Sequence, residues 1–189
     1  MKKINTYHHG DLPRQLLTHA ASMAAEAGPE SVTMRELARR VGVSHSAPVH
    51  HFGTRQNLLA SLAAEGFKSL NEALAVHPHD IYAMGVAYVL WALEHPGHYA
   101  VMWQPRHLVQ DHKDLNRERQ QAWTLLSTAV ATDDSPVAEK DIDAYAAFSI
   151  VHGLAGIWLS GVLPIPEEPE RVAREVTRRF QFHPDVPAT

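Results

Sequence analysis

From Ala144 to Pro166 the chain carries no Asp, Glu, Lys or Arg. A stretch of that length and composition has two solutions: it crosses a bilayer, or it is a helix covered by protein on nearly every side. His152, Ser149 and Ser160 lie within it, and Asp141 and Asp143 precede it as Glu167 and Glu168 follow it. Acidic residues on both flanks supply no positive-inside signal, so the expectation is a buried helix and no membrane partner. The start, MKKINTYHHGDLPRQ, has two lysines but no apolar run behind them, which argues against a secretory signal. With no cysteine there is neither a disulfide framework nor thiolate chemistry to consider. A cytoplasmic protein is the expectation.

The rest of the chain also reads as helical. Asp11 can cap a helix over about residues 12 to 27, with Pro13 in its first turn and Leu16, Leu17, Ala20, Met23, Ala24 and Ala27 along one stripe. Thr33 and Glu36 have the spacing of a capping box that opens a short helix through Leu37, Ala38 and Val41, and Gly42 ends it. Ser44 can cap a second short helix from His45 to about Phe52, in which Pro48 removes one early hydrogen bond. Gly53 breaks the chain, Thr54 can cap, and a long helix is expected from Arg55 to about Ala75. Further helices are expected at about 80 to 94, 97 to 103, 112 to 131, 137 to 162 and 168 to 181, separated by breaks at Pro96-Gly97, Pro105, Asp133 to Pro136 and Pro164 to Pro169. No alternating strand pattern or internal repeat interrupts this order, so the fold class is all-α.

Two short helices joined by a tight glycine turn form a helix-turn-helix, whose second helix can enter a major groove. Charge supports that use. The total charge is -4, yet residues 1 to 55 hold seven basic against four acidic side chains, a balance of +3, which leaves -7 on the remainder. A basic end on an acidic body is the footprint of a small nucleic-acid-binding domain joined to a larger domain with another task. The expected division is a DNA-binding domain at 1–55 and a regulatory and dimerisation domain at 56–189.

These residues resemble the tetracycline-repressor (TetR) family of regulators, most specifically over YHHGDL at 7 to 12, SVTMRELARRVGVS at 31 to 44 and APVHHFGTRQNLL at 47 to 59. The chain is similar to the subgroup that begins with the YHHGDL motif, and EHPGHYAVMW at 94 to 103 with VHGLAGIWLSG at 151 to 161 resemble its regulatory domain. The resemblance implies a two-domain, all-helical homodimer that binds a palindromic operator in double-stranded DNA and is released by a small-molecule effector. It implies a base or phosphate contact for Arg35. Thr33 and Ser44, at helix N-termini, would meet phosphates. His45, Ser46, Ala47 and His50 fall where the family reads base edges, and His51 and Arg55 where it holds the sugar-phosphate chain. At Val49 the family usually has a tyrosine whose hydroxyl touches a phosphate, a bond that valine cannot make.

In the larger domain Tyr88, Trp91, Tyr99, Met102, Trp103, His107, Trp123, His152 and Trp158 form an aromatic and methionine-rich set. Taken alone they are ordinary core; the resemblance implies an effector pocket, with His107 and His152 as its polar groups. The subunit interface is expected along the uncharged stretch, Ile157 included, where the small residues Gly153, Gly156, Ser160 and Gly161 would let a partner helix approach closely. Arg39 and Arg40 could track phosphates or lie solvated. The 14 histidines raise a different class of function, a helical metal-binding protein or enzyme built on the His and Trp cluster. No pair stands at i and i+4 beside a glutamate on a helix, and there is no phosphate loop, nucleophile elbow or paired-carboxylate motif. No metal, no cofactor and no catalytic residue is expected.

Overall fold

The computed structural model describes residues 11–130, 137–162, 164 and 168–179, among which there are helices and no strands. Among these described residues nine α-helices follow in order: α1 (Leu12–Ala27), α2 (Met34–Val41), α3 (Ala47–Phe52), α4 (Arg55–Leu74), α5 (Ile81–Glu94), α6 (Pro96–Met102), α7 (Lys113–Val130), α8 (Val137–Ser160) and α9 (Pro169–Arg178). The sequence missed two single 3₁₀ turns, at Pro29–Ser31 and Pro105–His107. Each begins with a proline, whose fixed φ suits a first turn but carries no periodicity for a pattern to reveal.

The chain divides into two compact units. The first takes the chain up to Glu65 together with Pro96–Leu115, and the second takes Gly66–His95 and the chain from Asn116 onward.

In the first unit α1 packs against α2, α3 and α6. Leu16, Ala20, Met23 and Ala24 of α1, Leu37 and Ala38 of α2, Leu58, Leu59 and Leu62 of α4, and Val101 and Met102 of α6 are buried. Each large one contributes roughly 1.5–3 kcal/mol relative to exposure. The closest approach is between α6 and α1: a Cβ placed on Gly97 would lie 2.0 Å from the carbonyl oxygen of Ala21. Only glycine permits backbone to lie on backbone there. Asp11 stands at the N-cap position of α1, but its side chain accepts from Arg14 instead of capping the helix.

In the second unit α5 packs on α8 and α9. Asp80 caps α5, accepting from the backbone N–H groups of Tyr82 and Ala83. Gly85 sits where α5 meets Thr177 of α9 and Val151 of α8. Val130, Ala144 and Ala147 form a core cluster with Ile81, Trp123 and Leu126 packed against it. A buried polar pair lies in the same unit, where Asn71 Nδ2 donates to the Glu118 carbonyl at 3.0 Å and its carboxylate at 3.2 Å.

Within a single chain α8 is buried along one side only. Its buried residues Ala144, Ala147, Val151 and Ala155 lie at helical spacing on one side, while Ile142, Tyr145, Ile157 and Leu159 are exposed. Of the apolar window within Asp141–Ser160, long enough to cross a membrane, only 22% is buried. A helix has one inner stripe, and here small residues fill it, so the large apolar ones are left outward.

Candidate nucleic-acid interface

The turn between α2 and α3 is built by caps and by one left-handed glycine. Thr33 Oγ accepts from the Glu36 N–H at 3.2 Å, as the capping-box spacing predicts. Gly42 adopts φ 76° and ψ 33°, and its N–H closes on the Ala38 carbonyl, which turns the chain at no steric cost. The second helix begins two residues later than expected, at Ala47, and Ser44 does not cap it; Ser44 Oγ lies 3.2 Å from Ser46 Oγ, and the Ala47 N–H closes a turn on the Ser44 carbonyl. Proline supplies the reason. With the start at Ala47, Pro48 falls in the first turn, where an N–H would have no helical partner in any case.

This geometry turns Pro48 inward and leaves Ser44, His45, Ser46, Val49, His50 and His51 exposed, with Ala47 half-buried. His50 and His51 stand edge to face, ring centroids 5.5 Å apart. Exposed Thr33 and Arg35 lie at the start of α2. Arg39 and Arg40 are engaged within the unit: Arg39 clasps Glu36 at 2.6 and 2.8 Å, and Arg40 reaches Glu26 at 2.8 Å. Hydrogen bonds from Arg39, then the charges of both arginines, hold the Glu36 carboxyl at about 2. Arg35 has no hydrogen-bond or ion-pair partner among the described residues, so its charge is available to a ligand.

Arg55 has a structural role that sequence reasoning missed. Its Nε donates to the Val32 carbonyl at 2.6 Å and its Nη2 to the Pro29 carbonyl at 2.5 Å, which ties α4 to the turn before Thr33. Carbonyls carry no sequence signature, so nothing in the pattern could have found these acceptors. Tyr7 to Gly10 of the YHHGDL motif lie outside the described residues.

The family profile of bacterial regulatory proteins of the tetR family matches residues 16–62, and that of the tetracyclin repressor-like C-terminal domain matches residues 81–180. The chain belongs to the tetR family. A solved protein of unknown function from Rhodococcus sp. RHA1 is 33% identical, with 93% of this chain and 96% of that one covered and a TM-score of 0.73. A tetR-family regulatory protein from Rhodococcus RHA1 is 18% identical over 88% of this chain and 93% of its own, with a TM-score of 0.70. The transcriptional regulator PfmR from Thermus thermophilus is 19% identical over 86% of this chain and 94% of its own, with a TM-score of 0.68. No curated protein matches. As a tetR-family member the chain is a transcription regulator and not an enzyme.

The residues expected to line an effector pocket fall into separate groups in this tetR-family chain. Within the second unit Tyr88 Oη lies 2.9 Å from His152 Nδ1, and Phe148 stacks on the same imidazole at 4.9 Å. Burial holds His152 below its ordinary value, which keeps it neutral. Trp91 Nε1 donates to Ser69 Oγ at 3.0 Å, and Trp123 packs on Tyr145 at 4.9 Å. Met102, Trp103, Tyr99 and His107 belong to the first unit. There His107 Nε2 meets the Glu30 carboxylate at 3.0 Å beside Arg106, and burial pushes the Tyr99 hydroxyl up to about 12. A cavity of ≈ 290 Å³ in the second unit is lined by Asp80, Tyr82, Ala83, Val86, Arg174, Thr177 and Arg178, none of them in the expected set. Of the residues expected at the subunit interface, Gly153, Ile157 and Ser160 are exposed and Gly156 is half-buried.

Proposed function

We propose that the chain is a ligand-responsive repressor that binds a pseudo-palindromic operator as a homodimer, in the cytoplasm. Residues 1–55 serve as its DNA-binding domain and 56–189 as its ligand-binding and dimerisation domain. The observation that carries this reading is the surface of α2 and α3. An unpartnered Arg35 and exposed Thr33, Ser44, His45, Ser46, His50 and His51 offer a permanent charge and several hydrogen-bonding side chains with few intramolecular commitments. Such side chains read base edges and phosphates, with Ala47 against apolar base edges. Arg55 acts on the sugar-phosphate chain indirectly, by fixing the backbone ahead of Thr33. The exposed face of α8, with Gly153, Gly156, Ile157 and Ser160, pairs with its symmetry mate.

An effector held near the Tyr88 and His152 pair shifts the population toward dimers whose two reading heads no longer fit the operator. The test is selection of operator sequences from random duplex DNA, followed by titration of wild type and Arg35→Ala. The expected outcome is a pseudo-palindrome whose half-sites face one side of the duplex, and a loss of about 1–3 kcal/mol for the variant. Equal affinity of both proteins would remove Arg35 from the site, and enrichment of no sequence would sink the reading.

A further inference from the structure

We infer that Val49 determines specificity by packing against the C5-methyl of a thymine in each operator half-site. The inference rests on the operator-binding reading above. Among the described residues, Val49 is the one large apolar side chain of the first unit that stands exposed, at 48%. Folding gives it no reason to be there. Valine is a poor helix former, and in a six-residue helix a side chain left 48% exposed recovers only part of the burial it could have. A residue that breaks the local rule without a structural gain points to a role in binding.

Its neighbours say which role. Val49 shares the outward face of α3 with Ser46 and Gly53 at helical spacing, beside His50, all exposed. Ser46 and His50 carry hydrogen-bonding groups, and Val49 supplies a dry, rigid, branched hydrocarbon between them. It has no donor or acceptor for a phosphate or a polar base edge. In the major groove the apolar feature presented by the four bases is the thymine methyl. A β-branched side chain on a helix is confined to one rotamer, so the contact costs little ordering on binding.

The experiment uses the full-length chain and the operator selected with the wild-type protein. Each thymine is replaced in turn by deoxyuridine, which removes only the methyl. The expected result is one position per half-site where the loss weakens wild-type binding by about three- to five-fold. Val49→Ala should bind the thymine operator correspondingly less well and be indifferent to uridine at that position. Ser46→Ala should keep the full uridine penalty. A thermal melt confirms that Val49→Ala, altered only at an exposed site, remains folded. A uridine penalty equal in wild type and Val49→Ala, or no uridine penalty anywhere in the operator, overturns the inference while leaving operator binding intact. A chain that selects no operator overturns both.

Discussion

Among the described residues the first unit shows water one large apolar side chain, Val49, whereas the second leaves Val76, Tyr82, Ile142, Tyr145, Ile157, Leu159 and Val162 exposed. The first unit closes its own core and presents charge and hydrogen bonds, a surface suited to a polar partner. The second stops short of closing, because the inner stripe of α8 is filled by Ala144, Ala147, Val151 and Ala155 and its larger residues turn outward. The two units thus differ in the surface they leave open among the described residues: charged and hydrogen-bonding in one, with large apolar side chains in the other.

The strongest break of this comparison is Gly156→Arg, at a half-buried position of α8 beside exposed Ile157 and remote in sequence from α2 and α3. An isologous contact suffers each substitution twice. The variant should sediment as monomer or aggregate, and operator affinity should fall by about 100-fold or more, since each 1.4 kcal/mol is tenfold. A variant that stays dimeric and binds normally would show that the outward face of α8 is completed by something else.

Gly97→Ala should act on the other unit, with no change to either outer surface. The added Cβ meets backbone 2.0 Å away, and neither helix can yield locally. A loss of roughly 3 kcal/mol is expected from calorimetry. Gly85→Ala in the second unit meets side-chain methyl groups at 2.9 and 3.1 Å, which can rotate, so its cost should be clearly smaller. Equal costs would mean that the first unit is as deformable as the second.

Within the first unit the two arginines separate folding from reading. Arg55→Ala removes one donor from each of the Val32 and Pro29 carbonyls, of which Pro29 keeps the Val32 N–H, and a loss of about 2 kcal/mol in stability is expected. Arg35→Ala, which removes no hydrogen bond or ion pair among the described residues, should melt within about 0.5 kcal/mol of wild type and lose only operator affinity. An unstable Arg35→Ala would overturn that separation.

The smallest effects distinguish the units by pH. Burial keeps His152 neutral, so the unfolded chain takes up a proton that the folded one refuses. The stability this contributes is present above 6.5, the ordinary value, and is lost as the pH falls below it. Glu36 is held at about 2 against an ordinary 4.5, so its contribution is present above 4.5 and lost as the pH falls toward 2. Thermal melts from pH 8 to 3 should therefore show a first decline near neutrality that His152→Phe removes, and a second, in acid, that Glu36→Gln reduces, since Glu26 and Glu30 are held low as well. A near-neutral decline that persists in His152→Phe would assign it to other histidines.

Helix order, the all-α class and the caps at Thr33 and Thr54 were legible in the sequence because each depends on neighbours three or four residues apart. Spacing of that kind is written directly along the chain. The start of α3 was misread by two residues, since Ser44 looks like a cap and only the inward packing of Pro48 decides otherwise. Likewise Asp11 has the residue type of a cap, and a nearby Arg14 claims it.

The sequence by itself determined which segments are helices, where the basic end lies and which residue types stand on α2 and α3, because periodicity, capping and charge are local properties. The tertiary structure alone decided that Arg55 grips two carbonyls, that His107 binds Glu30, and that Trp91, Trp123 and His152 keep separate company. Those partners lie between 22 and 77 positions apart along the chain. No local pattern encodes a contact of that separation; it exists only once the helices have packed.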